Sequence, residues 1–262
     1  MAHPILDKTE VLNRIFHPRP EYGLSTAPRG VETIAIEVES GVSIAGRLYA
    51  AGSNAPLILY WHGNGEIAAD YDSIAPLYTR MGISLLVIDY RGYGRSTGSP
   101  SCSSLLSDAV NLLQSVDVIF DQHGLTPLRL YVMGRSLGSA AAIEAASQEG
   151  QELSGLIVES GFADTFALLR RLGFRVEETT ESRDGFGNTS KIALVTIPTL
   201  VIHGEHDALI PVDDGQQLFQ YSGAKKKSLL LVPRAGHNDL ISVGQIRYFQ
   251  AIQNFVFSKQ GE

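Results

Sequence analysis

Hydrophobic and polar positions change rhythm once along this chain. Residues 31–39 (VETIAIEVE) and 42–50 (VSIAGRLYA) alternate with period two, the mark of strands covered on one face, and they meet at Ser40-Gly41. That junction predicts a hairpin or a bulge, because two-residue hairpin turns favour Asn-Gly or Asp-Gly. Beyond residue 50 the apolar runs become short and continuous, at 57–61, 83–88, 128–133, 156–158, 199–202 and 228–232. Continuous apolarity means burial on both faces, as in a parallel sheet. Segments of helical period lie between the runs, at 68–80, 104–123, 137–149, 213–221 and 243–258. This alternation predicts an α/β fold, a mostly parallel sheet of eight strands with helices on both faces. Neither an internal repeat nor a shift in composition divides residues 1–262, so one domain is expected. Residues 173–190 (GFRVEETTESRDGFGNTS) carry the least pattern, and connections of that length are usually functional or mobile.

Composition narrows the function classes. With 44% apolar and 19% charged residues, a packed core is expected and disorder is not. Glycine and proline, 26 and 11 residues, follow no period, which excludes collagen-like character. The balance of 21 basic and 28 acidic residues gives −7, which offers no electrostatic footprint for nucleic acid. Cys102 is the single cysteine, so neither a disulfide framework nor a cysteine-based metal site is expected. It reads as a small hydrophobe in the loop before a helix. No apolar run approaches 18 residues, and residues 1–22 lack the basic-then-apolar pattern of a secretory signal. A soluble, cytoplasmic protein acting on small molecules, without metal or cofactor, is the expectation; its oligomeric state is not legible.

Open α/β sheets bind ligands at the carboxyl ends of their strands, so the chemistry is sought just after the apolar runs. After 128–133 comes Gly134-Arg135-Ser136-Leu137-Gly138, a G-x-S-x-G sequence opening into an alanine-rich helix. A strand–turn–helix of this kind is a nucleophile elbow, whose flanking glycines permit a very tight turn and leave the serine hydroxyl in the open. The plainer alternative is a glycine-tightened turn with a serine helix cap. A serine hydroxyl is a weak nucleophile alone and needs a base with an orienting acid. His237, in Gly236-His237-Asn238-Asp239, follows the last apolar run and precedes the last helix, which makes it the base. His62 reads as a structural hydrogen-bonder, and His17 and His123 as solvated. Asp207 follows 199–202 in His203-Gly204-Glu205-His206-Asp207, where a carboxylate accepts the imidazole Nδ1–H and fixes the tautomer. Glu159 and Asp164 are the fallback acids, with loop capping as their plain reading. A metal site at His203, His206, Asp207 and His237 is possible by residue type alone, but no helical H-E-x-x-H supports it. Acyl transfer also needs donors for the oxyanion. The backbone amide of Leu137 is one; the second is expected from His62-Gly63-Asn64-Gly65, at Asn64, with Gly65 next.

Taken together, HGNG (62–65), DYRGYGRSTG (89–98), GRSLG (134–138), HGEHDALIP (203–211) and GHNDL (236–240) resemble the α/β-hydrolase superfamily. The nearest likeness is to its small serine hydrolases, a branch that includes eukaryotic protein depalmitoylases and many uncharacterised bacterial members. The resemblance spans about residues 15–257 and implies the α/β-hydrolase fold with Ser136, Asp207 and His237 as catalytic residues and the Asn64 turn at the oxyanion. It also implies that residues 89–94 form a structural loop at the edge of the site. Depalmitoylases of that branch carry an N-terminal cysteine cluster that is not found here, so their substrate is not implied. The chain between 158 and 199 is too short for the cap of lipases and dehalogenases, which leaves a minimal lid-like insertion at about 164–192. Phe162, Phe166, Phe174 and Phe186 there suit an apolar group or simple core packing; Arg170, Arg171 and Arg175 suit an anion or a solvated helix face. The expected activity is hydrolysis of a carboxylic ester or thioester through an acyl-enzyme. A peptidase or amidase with the same triad is the alternative, followed by a catalytically idle binding module.

Overall fold

Alternation at residues 31–49 becomes an antiparallel pair in the computed structural model, which describes residues 3–21, 27–149, 152–177 and 179–258. Residues 1, 2, 22 and 178, which the readings of the N-terminus and of the 173–190 stretch touch, lie outside the described residues, and Glu149 is described by its backbone alone. Strand β1 (Val31–Glu39) pairs with β2 (Val42–Tyr49), and the register shifts between Glu37 and Glu39, so the junction is both hairpin and bulge. β2 then pairs antiparallel with β4 (Ser84–Ile88). β4, β3 (Leu57–Trp61), β5 (Leu130–Arg135), β6 (Gly155–Glu159), β7 (Thr199–Gly204) and β8 (Lys227–Val232) run parallel to one another. The full order is β1-β2-β4-β3-β5-β6-β7-β8. The chain runs outward from β3 to β4 and then returns to β5 on the other side. That reversal makes the β3/β5 boundary the topological switch point, where open α/β sheets bind ligands.

The continuous apolar runs follow from two covered faces. Along β3, Leu57, Leu59 and Trp61 join one core layer, and Ile58 and Tyr60 join the other. The first layer is closed by helices Thr9–Ile15, Cys102–Gln114 and Gly138–Glu149, and the second by Ala68–Ser73, Ala75–Arg80 and Leu240–Phe257. Several expected boundaries move. The fifth strand is expected at 128–133 but forms at Leu130–Arg135, with Leu128 exposed, so it delivers Arg135 directly to Ser136. The helix expected over 68–80 divides into a 3-10 turn and an α-helix, because Pro76 lacks the amide a continuous ladder would need. The one over 104–123 starts at Cys102, capped by Ser101, and breaks at Ser115 into Cys102–Gln114 and Val116–Gln122. Cys102 is therefore the first residue of a helix, fully buried, rather than part of the preceding loop. The insertion between β6 and β7 contains helices Thr165–Arg171, Glu181–Asp184 and Asn188–Ile192. No helix among the described residues is long and apolar enough to cross a membrane.

Candidate active site

Register alone places most of the site. In the sheet Trp61 of β3 lies opposite Gly134 of β5, so the turn after Trp61 sits beside the turn after Arg135. Ser136 occupies that second turn at φ 51°, a left-handed conformation that costs a β-carbon residue roughly 1–2 kcal/mol. The flanking glycines make the turn possible. A Cβ on Gly134 would lie 2.1 Å from the Gly138 carbonyl oxygen, and one on Gly138 would lie 2.2 Å from the Trp61 carbonyl oxygen. The second clearance lets the helix Gly138–Glu149 abut the end of β3. Ser136 donates its own amide to the Glu159 carbonyl (2.9 Å), so the elbow is also pinned to β6.

His237 and Asp207 arrive from the ends of β8 and β7. Their loops are stitched together by the Glu205 amide on the Val232 carbonyl (3.1 Å) and the His206 amide on the Ala235 carbonyl (2.8 Å). His237 Nε2 lies 3.0 Å from Ser136 Oγ, and His237 Nδ1 lies 2.7 Å from Asp207 Oδ2. The other carboxylate oxygen, Asp207 Oδ1, accepts the Leu209 (3.0 Å) and Ile210 (2.8 Å) amides. Burial alone would push this carboxyl up, but the His237 hydrogen bond and charge and the Ile210 amide hold it below its ordinary value. His203, fully buried beneath the loop, makes a 2.8 Å contact from Nε2 to the Ile210 carbonyl; burial lowers its pKa and keeps it neutral. Neutral, it donates from Nε2 and braces the acid loop.

The Asn64 turn is held through its side chain. Asn64 Oδ1 accepts the Tyr93 hydroxyl (2.7 Å) and the His17 amide (2.9 Å). His62 shapes the same turn, with Nδ1 2.8 Å from the Gly63 carbonyl and Nε2 3.3 Å from Asp89 Oδ1. The Tyr90 hydroxyl donates to the His62 carbonyl, so residues 89–94 buttress the turn as the resemblance implies. Neither the Asn64 nor the Leu137 amide donates to any acceptor among the described residues.

Other expectations resolve differently. Phe162, Phe166 and Phe186 are buried in the first core layer, and Phe174 packs partly buried against it. Core packing therefore accounts for them, and an open aromatic pocket is not formed. Arg170 and Arg175 are exposed, and Arg171 pairs with Asp214 at 3.2 Å. Asp164 caps the helix Thr165–Arg171 by accepting the Ala167 amide (2.6 Å). Glu159 is paired with Arg135 and the Tyr248 hydroxyl rather than with His237. Burial pushes its carboxyl up, and Arg135 and Tyr248 return only part of that shift. Among the described residues no group of three or more His, Cys, Asp or Glu is gathered as a metal ion would need. Arg135 and Glu66 are not singled out by the sequence, whereas Tyr93 falls in the 89–94 loop that the resemblance implies at the edge of the site. The one signal for Arg135 is a charge two residues after the apolar run 128–133.

Comparison with known proteins bears on the family and the fold. A family model described as serine aminopeptidase, S33, matches residues 52–176. The uncharacterized protein Rv2307c of Mycobacterium tuberculosis is 30% identical over 226 residues, 82% of this chain and 75% of that protein. The alpha/beta hydrolase domain-containing protein 17B of Xenopus tropicalis is 28% identical, covering 86% and 75%. Among solved structures, the esterase Pf2001 of Pyrococcus furiosus superposes with a TM-score of 0.75 at 20% identity, over 93% of this chain and 99% of that one. Est1E of Butyrivibrio proteoclasticus gives 0.66 at 18% identity, over 85% and 96%. The sheet order, the strand-end loops and these relatives together place the chain in the α/β-hydrolase superfamily.

Proposed function

We propose that the protein is a serine hydrolase that cleaves a carboxylic ester or thioester through an acyl-enzyme, with Ser136, His237 and Asp207 as its triad. The observation that carries this reading is the unbroken line from Ser136 Oγ through the His237 ring to Asp207 Oδ2, at 3.0 and 2.7 Å. His237 Nε2 takes the hydroxyl proton as Oγ attacks the carbonyl carbon, and ionised Asp207 stabilises the resulting imidazolium. The Asn64 and Leu137 amides, without acceptors among the described residues, serve the developing oxyanion. Collapse of the tetrahedral intermediate expels the alcohol or thiol, which leaves with the proton held on Nε2. Water then attacks the acyl-enzyme by the same proton route, releasing the acid and restoring Ser136. The structural neighbour Pf2001 is described as an esterase, which favours an ester over an amide.

The serine aminopeptidase description of the matching family model favours a second reading, an amidase or peptidase with the same triad. Purified protein treated with a fluorophosphonate probe is expected to label at one site, and Ser136→Ala to take no label. Equal labelling of both proteins, or none of the wild type, would sink the serine-hydrolase reading at Ser136, and the second of these results would leave the idle binding module. A matched panel of p-nitrophenyl esters, thioesters and aminoacyl p-nitroanilides decides between the two hydrolytic readings, and preferential turnover of the anilides would reverse their order.

A further inference from the structure

Side chains at 131, 133 and 135 share one face of β5, the face covered by Ala68–Ser73, Ala75–Arg80 and Leu240–Phe257. Tyr131 and Met133 are buried there; Arg135, two residues on, emerges at the strand end between the Asn64 turn and the His237 loop. All three nitrogens of its guanidinium are engaged. Nη1 donates to Glu66 Oε1, Nη2 donates to the His237 carbonyl (2.8 Å) and Asn238 Oδ1 (3.0 Å), and Nε faces Glu159 Oε1 at 3.3 Å. A guanidinium so occupied has no donor fork left for a substrate anion, although a cavity of about 520 Å³ opens beside it.

Its partners reach the rest of the machinery. Glu66 Oε2 accepts the Gly63 amide (2.9 Å), one residue before Asn64, and the Tyr71 hydroxyl (2.7 Å). Glu159 Oε2 accepts the Tyr248 hydroxyl (2.6 Å), and Tyr248 meets Tyr78 at 3.0 Å, which anchors the cluster in both helices of that layer. Arg135 is itself joined through its peptide bond to Ser136. One side chain thereby ties the nucleophile, the oxyanion turn and the base to a common buried frame.

Resting on the serine-hydrolase reading, we infer that Arg135, the variable second residue of the G-x-S-x-G sequence, is a positioning residue: through its own donors and through Glu66 it sets the His237 backbone and the Asn64 turn relative to Ser136. A planar fork with three separately directed groups of donors can hold all these partners at once. A lysine ammonium retains the buried charge but cannot span them.

The test is the time course of fluorophosphonate labelling and the turnover of p-nitrophenyl butyrate in wild type, Arg135→Lys and Glu66→Gln. In Arg135→Lys labelling should still reach the full protein concentration, with a rate constant lower by about 10²-fold, the scale of loss for a displacement near 1 Å. kcat should fall in step while KM stays within about threefold, because no substrate contact is removed. Glu66→Gln keeps an oxygen acceptor and leaves Arg135 paired with Glu159, so it supplies the test if Arg135→Lys does not fold; roughly tenfold slower labelling is expected. A wild-type rate constant in either folded variant overturns the inference. So does a variant whose labelled fraction shrinks while the remainder reacts at the wild-type rate, since that is a purely structural defect. Absence of labelling in the wild type is a different failure, because it removes the nucleophile itself and the inference with it.

Discussion

Asp207 divides its two oxygens between two tasks. Oδ1 is committed to the Leu209 and Ile210 amides and Oδ2 to His237 Nδ1. In Asp207→Asn the amide oxygen would keep the two backbone donors, and the –NH2 would turn toward His237 Nδ1. The ring would then carry its proton on Nε2 and could not accept one from Ser136. Turnover of p-nitrophenyl butyrate is expected to fall by about 10³–10⁴-fold with the fold intact, the scale seen when a triad acid is made neutral. A rate within tenfold of wild type would remove Asp207 from the triad. These residues are legible in sequence because each follows a continuous apolar run at a strand end. Arg135 and Glu66 are not legible in that way. Their pairing exists because β5 lies next to β3 although β4 intervenes in the chain, an adjacency that residue spacing does not reveal.

Among the elements, the longer periodic ones were readable and the short or broken ones were not. The pattern runs through Ser115 without a phase error, since Leu112, Leu113, Val116, Ile119 and Phe120 are all buried on the same layer, so the break is invisible to periodicity. The helices Glu181–Asp184 and Asn188–Ile192 are too short to establish a period. They are placed instead by one carboxylate. Glu181 Oε2 accepts the Thr165 amide (2.7 Å), and Oε1 accepts the Thr165 hydroxyl (2.9 Å) and the Gly187 amide (2.9 Å). This clasp joins both ends of the insertion between β6 and β7. Burial raises the Glu181 pKa, and the donated hydrogen bonds only reduce the rise. The folded state therefore holds this proton more tightly than the unfolded one. The resulting stability is fully present below the ordinary glutamate value and is lost as pH climbs through the raised one. The variant Glu181→Gln cannot titrate and offers one acceptor oxygen in place of two. The Tm difference, wild type minus variant, is expected to grow as pH is lowered from 7 to 4. A difference that stays flat or shrinks over that range would show that the clasp is not the titrating group.

At the scale of the molecule, one sheet partitions the two apolar layers, and among the described residues neither layer has a sheet of its own. Leu86 and Leu85 are consecutive on β4, both fully buried, with Leu86 in the first layer and Leu85 in the second. A void made on either side is felt by the same strand, because β4 bonds to β2 and β3 regardless of which face has been opened. We therefore expect residues 1–262 to unfold as one cooperative unit. Leu86→Ala and Leu85→Ala should each lower stability by about 2–5 kcal/mol, the range for a large-to-small change in a packed core. In urea each variant should move the midpoint of a single transition and leave its slope unchanged, since the surface exposed on unfolding is the same. Tryptophan fluorescence reports the first layer through Trp61 and far-ultraviolet circular dichroism reports all the helices, so coincident curves are the signature of one unit. Two transitions, with one variant shifting the first and its neighbour shifting the second, would mean that the layers unfold separately and that β4 does not couple them.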